Sequence, residues 1–341
     1  MSHNTNIRVR MTMSRSVRIY EFGGPEVLRI EEVPVVVPVS GEVRLRIHAI
    51  GLNRTELTLR SGRAYAKPVL PSCIGFEAAG VVDALGPGVT GFAIGDRVAL
   101  VPAYSAAQYP LYGEMSVAPA RSLVRIPAHS SFVEAAATWS AFGTAWSGLV
   151  ALGELREGQV VLISAASSSV GLAAIQIARR LGARPIAVTR RAAKVPALRE
   201  LGVASVIVSD SEDVAAEVAR LTGGRGADLV FDPVGGPGLA KLAKATASGG
   251  LVALYGALAP ETIAIAPFDL IGRDITLRGV SLTTRMLDDL QLAAMKAFVE
   301  EGIAEGALRP VIARTFAFDQ ISEAHRYIEA GEQVGKVVVT V

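Results

Sequence analysis

Two rhythms of hydrophobic and polar residues divide the chain. From Ser16 to about Pro127, short Val- and Ile-rich runs over 43–47, 78–85 and 97–101 alternate with clusters of Gly and Pro, which predicts a β-rich first region. Gly86-Pro87-Gly88 and Gly95-Asp96 are turn chemistry, because Gly accepts positive φ and Pro presets the bend. An alanine-rich patch over 132–148 reads as helix, and beyond it apolar runs alternate with amphipathic stretches. Strands are expected at 160–164, 185–189, 204–208, 228–232, 250–254 and 275–281, with helices filling most of the gaps. The tail is mixed again: a helix over 287–301, another over 321–330 and a last strand over 336–341.

Buried apolar strands alternating with amphipathic helices are the pattern of a parallel, doubly wound α/β sheet, and six such strands make a complete dinucleotide-binding domain. At 341 residues the chain exceeds what one core usually fills, so two domains and a cleft between them are expected. The expected division is a first domain over 1–138, a nucleotide-binding domain over 139–285 and a return segment over 286–341. Residues 1–12 read as a loose polar tail, neither a secretory signal nor a membrane span.

Composition narrows the function classes. A net charge of +2 with scattered Lys and Arg lacks the footprint of a nucleic-acid binder. The single cysteine, Cys73, excludes internal disulfides and multi-cysteine metal sites, and it fits a reducing compartment, with the cytoplasm as the expected location. No membrane segment is expected.

The first expected strand of the second domain runs into Ala165-Ala166-Ser167-Ser168-Ser169-Val170-Gly171, and a helix follows at once. The free amides and positive dipole end of such a helix bind pyrophosphate where small side chains let the backbone be approached. The usual Gly-x-Gly-x-x-Gly reads here as Ala166-x-Ser168-x-x-Gly171. Gly171 would serve close helix-to-strand packing, and Ser168 would lie where the cofactor comes nearest, flanked by Ser169 and Val170. After the second strand, where an acidic residue would accept bonds from the ribose of NAD, the chain has Thr189-Arg190-Arg191 and then Lys194. Cations there suit a 2′-phosphate, so NADPH is the expected cofactor. The plain alternative is a small-residue turn followed by solvated charges.

These residues belong to a longer pattern that resembles the zinc-independent quinone oxidoreductase branch of the medium-chain dehydrogenase/reductase superfamily, over nearly the whole chain. It includes Ala49-Ile50-Gly51-Leu52-Asn53 with Glu56, Arg60, Ser61 and Gly62, then Pro71 through Gly80, and Gly95-Asp96-Arg97-Val98. Further on it includes Gly143-Thr144-Ala145-Trp146, the serine turn with Gln176, Gly223 through Asp228, and Asp232-Pro233-Val234-Gly235-Gly236. Two departures stand out: the Gly-Gly of the phosphate turn is Ser168-Ser169, and the Asn-Tyr often found after the third strand is Val208-Ser209.

The resemblance implies a GroES-like catalytic domain completed by the C-terminal segment, a Rossmann domain between its two parts, and NADPH in the cleft. It also implies a homodimer joined edge to edge through the strand near Ile275 to Ser281. Metal-dependent relatives need a Cys where this chain has Asn53 and a His where it has Phe76 beside Glu77, and their structural zinc needs four cysteines, so no metal is expected. His3, His48, His129 and His325 fall in unrelated contexts without ligand spacing.

Without a metal to polarise an oxygen, hydride transfer to a quinone or a conjugated enone is easier than reduction of a simple ketone. The implied site residues are Asn53, as a donor to the substrate oxygen or the nicotinamide ribose; Tyr65, as a substrate contact or proton source; and Thr144, Tyr255, Gly256 and Lys336, beside the cofactor. Each has a structural alternative: an Asx turn for Asn53, a pocket wall for Tyr65. Two other functions stay open, a dedicated enoyl or 2-alkenal reductase and a non-catalytic NADPH-binding protein.

Overall fold

A computed structural model describes residues 12–64, 67–105 and 108–341. Tyr65 and nearly all of the expected N-terminal tail lie outside the described residues. Among the described residues no helix is long and apolar enough to cross a membrane.

The spine of the first sheet is strand β1 (Glu42–Gly51), whose inward positions Val43, Leu45 and Ile47 are buried. It pairs antiparallel with Ala78–Leu85 and Met115–Pro119, and its end pairs with the last strand of the chain, Lys336–Thr340. Val338 lies opposite Gly51, so residues nearly 300 apart in sequence meet where β1 ends and helix α1 (Arg54–Arg60) begins.

The expected helix over 132–148 is broken. It divides into Phe132–Ala135, helix α2 (Trp139–Trp146) and a π-helical turn Ser147–Leu152. Ser131 caps the first piece, its hydroxyl accepting from the Glu134 amide at 3.1 Å. The restart at α2 has a tertiary cause: Glu77, just before strand Ala78–Leu85, accepts the amide of Ser140 at 2.8 Å and satisfies a donor that a helix start leaves open.

The second sheet has six parallel strands: β2 (Val160–Ile163), β3 (Arg184–Thr189), β4 (Ser205–Val208), β5 (Ala227–Asp232), β6 (Thr246–Leu254) and β7 (Thr276–Gly279), in the order β4-β3-β2-β5-β6-β7. All six lie within a few residues of their expected positions. The central β2 is completely buried, as befits a strand with helices on both faces. Between β2 and β3 runs helix α3 (Ser169–Arg180), which packs Leu172, Ile175 and Ala178 inward.

The expected helix over 287–301 runs instead from Asp289 to Ala304. Its start is set by Asp288, whose carboxylate accepts the amides of Leu290 and Gln291 and leaves Leu287 outside, largely exposed. Gln176 of α3 ties the return segment to the second sheet by two reciprocal bonds, accepting from the Arg309 amide at 2.7 Å and donating to the Arg309 carbonyl at 3.0 Å.

Candidate active site

One cavity of about 940 Å³ opens over the carboxyl ends of β2, β3, β5 and β6, where strand order reverses. Its far wall is the end of β1, the start of α1 and the loop 331–335 that leads into the last strand. Asn53, Thr144, Ser168, Ser169, Val170, Thr189, Arg190, Arg191, Lys194, Tyr255, Gly256 and Lys336 all line it. Gly171 does not; it lies behind the lining, where a Cβ would meet the Ala166 carbonyl oxygen at 2.6 Å and the Ala166 Cα at 2.7 Å. Its lack of a side chain lets α3 start hard against the turn.

At the phosphate turn, Ser168 is the N-cap of α3: its hydroxyl oxygen accepts the Gly171 amide at 3.1 Å. The amides of Ser169 and Val170 have no partner among the described residues, and they stand at the positive end of a 12-residue helix. Ala165 adopts φ 45°, a left-handed conformation that glycine takes more cheaply. The loop 331–335 lies directly on this turn: Gly335 donates its amide to the Ser167 carbonyl at 3.0 Å and forms a parallel bridge with Ser168. Gly335 holds φ 102° against the Val311 carbonyl, a position closed to other residues.

The three cations after β3 divide their roles. Lys194 gives its protons to neutral oxygens: Gly331 O at 2.8 Å, Gln333 O at 3.1 Å and Ser167 Oγ at 3.3 Å. Arg191 pairs with Glu332 at 3.3 Å on the surface. Both therefore hold the return loop. Arg190 has no ion-pair partner among the described residues. A Cβ built on Gly331 would meet Arg54 Nη2 at 3.1 Å and Arg190 Nη2 at 3.7 Å, so guanidinium groups from opposite walls converge on one spot. Burial, then the positive field of Arg190, Arg191 and Arg54, lowers the pKa of Lys194; burial and Arg190 lower that of Arg54. An unbalanced cluster of cations in a cavity is a receptor for an anion. Arg54 was not foreseen, because nothing local marks the first residue of a helix as facing a strand end more than 130 residues away.

At the other end lies a buried charge cluster. Lys336, 1% exposed, donates to Glu77 Oε2 at 2.5 Å and to Asn53 Oδ1 at 2.7 Å. The Asn53 amide nitrogen donates to the Gly51 carbonyl at 3.0 Å and to Glu56 Oε1 at 3.3 Å, so both of its hydrogens are engaged within the protein. Glu56 also accepts the backbone amides of Asn53 and of Phe76. Asn53 is the N-cap residue of α1, and Glu56, three residues on, accepts its backbone amide, while its side-chain oxygen goes to Lys336. Burial drives the Glu56 carboxyl up to about 7 despite the opposing pull of Lys336, and it raises Glu77 against the same pull. Glu56 and Glu77 are parts of the site that sequence patterning left unassigned. The Asn53-x-x-Glu56 spacing was a capping-box signal, but nothing in it tells that the box is buried.

Between the two ends, Thr144 donates its hydroxyl to the Ser140 carbonyl at 2.7 Å. Tyr255 stacks on Phe231 with ring centres 4.1 Å apart, its phenol oxygen buried beside Ser168, and burial lifts its pKa far above the usual range. Gly256 brings the loop after β6 against Pro233, whose carbonyl a Cβ would meet at 2.6 Å. Among the described residues no three His, Cys, Asp or Glu side chains gather as a metal site. His48 stacks on Phe132 at 4.5 Å. His325 is buried, receiving the Arg60 guanidinium at Nδ1 (2.9 Å) and meeting Tyr112 at Nε2 (3.2 Å), and its pKa is pushed down to about 3 by burial and then by Arg60.

Comparison with known proteins agrees with this architecture. The alcohol dehydrogenase GroES-like domain family matches residues 39–134, and the zinc-binding dehydrogenase family matches residues 169–299. The quinone oxidoreductase of Homo sapiens is 30% identical over 329 residues, covering 96% of this chain and 98% of the relative. A 2-haloacrylate reductase of Burkholderia sp is 31% identical over 333 residues, covering 94% and 97%. A mycobacterial protein solved in complex with NADPH superposes with a TM-score of 0.88 at 29% identity, covering 96% and 100%. With a GroES-like unit and a Rossmann sheet facing one nucleotide-sized cavity, the chain is an oxidoreductase that belongs to the medium-chain dehydrogenase/reductase superfamily, in its quinone oxidoreductase branch.

Proposed function

We propose that this enzyme is a zinc-independent, NADPH-dependent reductase of quinones and conjugated enones, working as a cytoplasmic homodimer. The observation that carries the reading is one continuous cavity with a capped phosphate turn and the unpaired Arg190 at one end, and the Lys336–Glu77 pair at the other. The residues fit the cofactor. The amides of Ser169 and Val170 and the hydroxyl of Ser168 would hold its pyrophosphate, and Arg190 with Arg54 its 2′-phosphate. Arg191 and Lys194 would act by fixing the return loop, while Thr189, Thr144, Tyr255 and Gly256 would line the ribose and nicotinamide positions. When bound, NADPH supplies the hydride.

The positions that hold zinc in metal-dependent relatives carry Asn53 and Phe76 here, and a lysine reaches into that space, a donor set that repels a metal cation rather than binding it. Acceptors whose negative charge spreads over a conjugated system fit such a site best. Likeness to a 2-haloacrylate reductase favours a second reading, in which activated alkenes are the main acceptors and quinones incidental. Tyr65 remains a proposed substrate contact.

The dimer reading rests on the edge strand β7, exposed at all four positions, and on Phe268 and Ile271 beside it, 83% and 72% exposed. The division at 138/139 and 285/286 belongs to the same reading, supported by the separation of the six-stranded parallel sheet from the other two sheets.

The test is steady-state oxidation of NADPH and NADH with a benzoquinone, a naphthoquinone, a 2-alkenal, a cyclic enone and a simple ketone, with and without chelator. Chelator-insensitive turnover of a quinone or enone with NADPH is expected. Preference for NADH, or loss of activity with chelator, would overturn the cofactor or the metal-free part.

A further inference from the structure

We propose that Lys336 is a catalytic residue of this enzyme: its buried ammonium, aimed by Glu77 and Asn53, donates its remaining N–H to the acceptor oxygen on which negative charge collects during reduction. The inference rests on the reductase reading and names the group that does the work a metal does in other members of the superfamily.

An ammonium has three donors. Two are engaged, with Glu77 at 2.5 Å and Asn53 at 2.7 Å, and the third has no protein acceptor among the described residues. Lys336 lines the cavity, in company with Thr144 and Asn53. Among the described residues, both amide hydrogens of the neighbouring Asn53 point into the protein, and the Thr144 hydroxyl proton goes to the Ser140 carbonyl. The Tyr255 phenol is buried without a hydrogen-bond partner among the described residues, and it carries no charge to set against a developing anion. Among the described residues at this end, Lys336 is thus the charged group with a donor to spare. A purely structural account also has a physical difficulty, because a buried ion pair stabilises a fold no better than well-packed apolar residues of the same volume.

The step balances simply. NADPH would supply the hydride, its nicotinamide C–H bond breaking to leave NADP⁺; as the new C–H bond formed at the acceptor carbon and the conjugated π pair moved onto the carbonyl oxygen, the Lys336 N–H would strengthen its bond to that oxygen. A proton from water then completes the hydroquinone or saturated ketone, and the lysine keeps its own proton. Glu77 serves to hold the ammonium in place. Glu56, poised near neutrality behind Asn53, sets the net charge of the cluster.

The decisive experiment separates the donor from the counter-ion. Lys336→Met alone leaves Glu77 buried and unpaired, so it is made together with Glu77→Gln; a Lys336→Gln/Glu77→Gln pair, which can hydrogen-bond internally, serves if the first double variant does not fold. Melting temperature, NADPH dissociation constant, kcat with 1,4-naphthoquinone and 2-cyclohexen-1-one, and the visible spectrum of 4-nitrophenol bound to the NADP⁺ complex are measured. A wild-type enzyme that binds 4-nitrophenol as the phenolate, and a double variant with wild-type melting and NADPH affinity but about a hundredfold lower kcat and no phenolate band, are expected. A double variant that recovers wild-type kcat and the phenolate band would overturn the proposal and leave the pair a structural one. If the wild type reduces neither acceptor, the reductase reading fails on its own, and the phenolate band still decides whether Lys336 presents a donor to the cavity.

Discussion

The two ends of the cavity are built by opposite means. The phosphate end is mostly backbone: a turn of small residues, two free amides, and a glycine that lets helix and strand touch, all within 165–171. The other end is centred on side chains from distant segments, the start of α1, Glu77 and the last strand, with Asn53 and Lys336 separated by 283 positions. The end at the serine turn leaves Arg190 without an ion-pair partner among the described residues. The reaction end pairs its cation twice over and buries it. A site that binds a charged group can stand open to water, whereas one that stabilises charge appearing in mid-reaction must be preorganised and dry.

Removing a partner from the reaction end should have the largest effect. Lys336→Met alone is expected to lower stability by about 3–5 kcal/mol, because Glu77 stays buried without a counter-charge; chemical denaturation measures it, and a loss under 1 kcal/mol would mean that water reaches Glu77.

Next comes pH. Glu56 titrates near 7 in the folded protein against 4.5 for the free side chain, so the native state holds an extra proton between those values. The associated stability is fully present below pH 4.5 and is lost as pH rises through 7, with a slope of up to about 1.4 kcal/mol per pH unit. Denaturation midpoints across this range should fall with pH in the wild type and run flatter in Glu56→Gln; parallel profiles would refute the shift.

At the phosphate end the expected effects are smaller and specific. Arg190→Gln should weaken NADPH by about 1.5–3 kcal/mol, roughly ten- to a hundredfold, and leave NADH unchanged. Equal loss of both cofactors in a fluorescence titration would move Arg190 away from the 2′-phosphate. Ala165→Gly should relieve the left-handed backbone at φ 45° and, after the entropy glycine adds to the unfolded chain, raise stability by about 0.5 kcal/mol in a thermal melt. A decrease would show that the turn tolerates alanine without strain.

The same contrast explains what was legible in the sequence. All six strands of the nucleotide sheet were readable, because buried parallel strands are runs of apolar residues and the helices between them repeat every three to four. The phosphate turn was readable despite its missing glycines, because strand, small turn and helix are contiguous. The break before α2 was not, since the residue that restarts the helix is Glu77, far away in sequence. That Lys194 also bonds the carbonyls of Gly331 and Gln333 was not readable, because that loop lies more than 130 residues on. Tyr65 lies outside the described residues, so its place beside the substrate is still an expectation.

By itself, then, the sequence determined the positions of the six strands of the second sheet, the helix that follows the first of them, the place of the basic cluster in the chain and the family pattern that joins them, because each depends on neighbours within a few turns of chain. Only the tertiary structure decided which cations stay unpaired, that Asn53 turns its amide inward, and that Lys336 meets Glu77 in a dry pocket. Charge pairing and desolvation depend on distances in space, and chain order carries no record of those until the last strand has folded back onto β1.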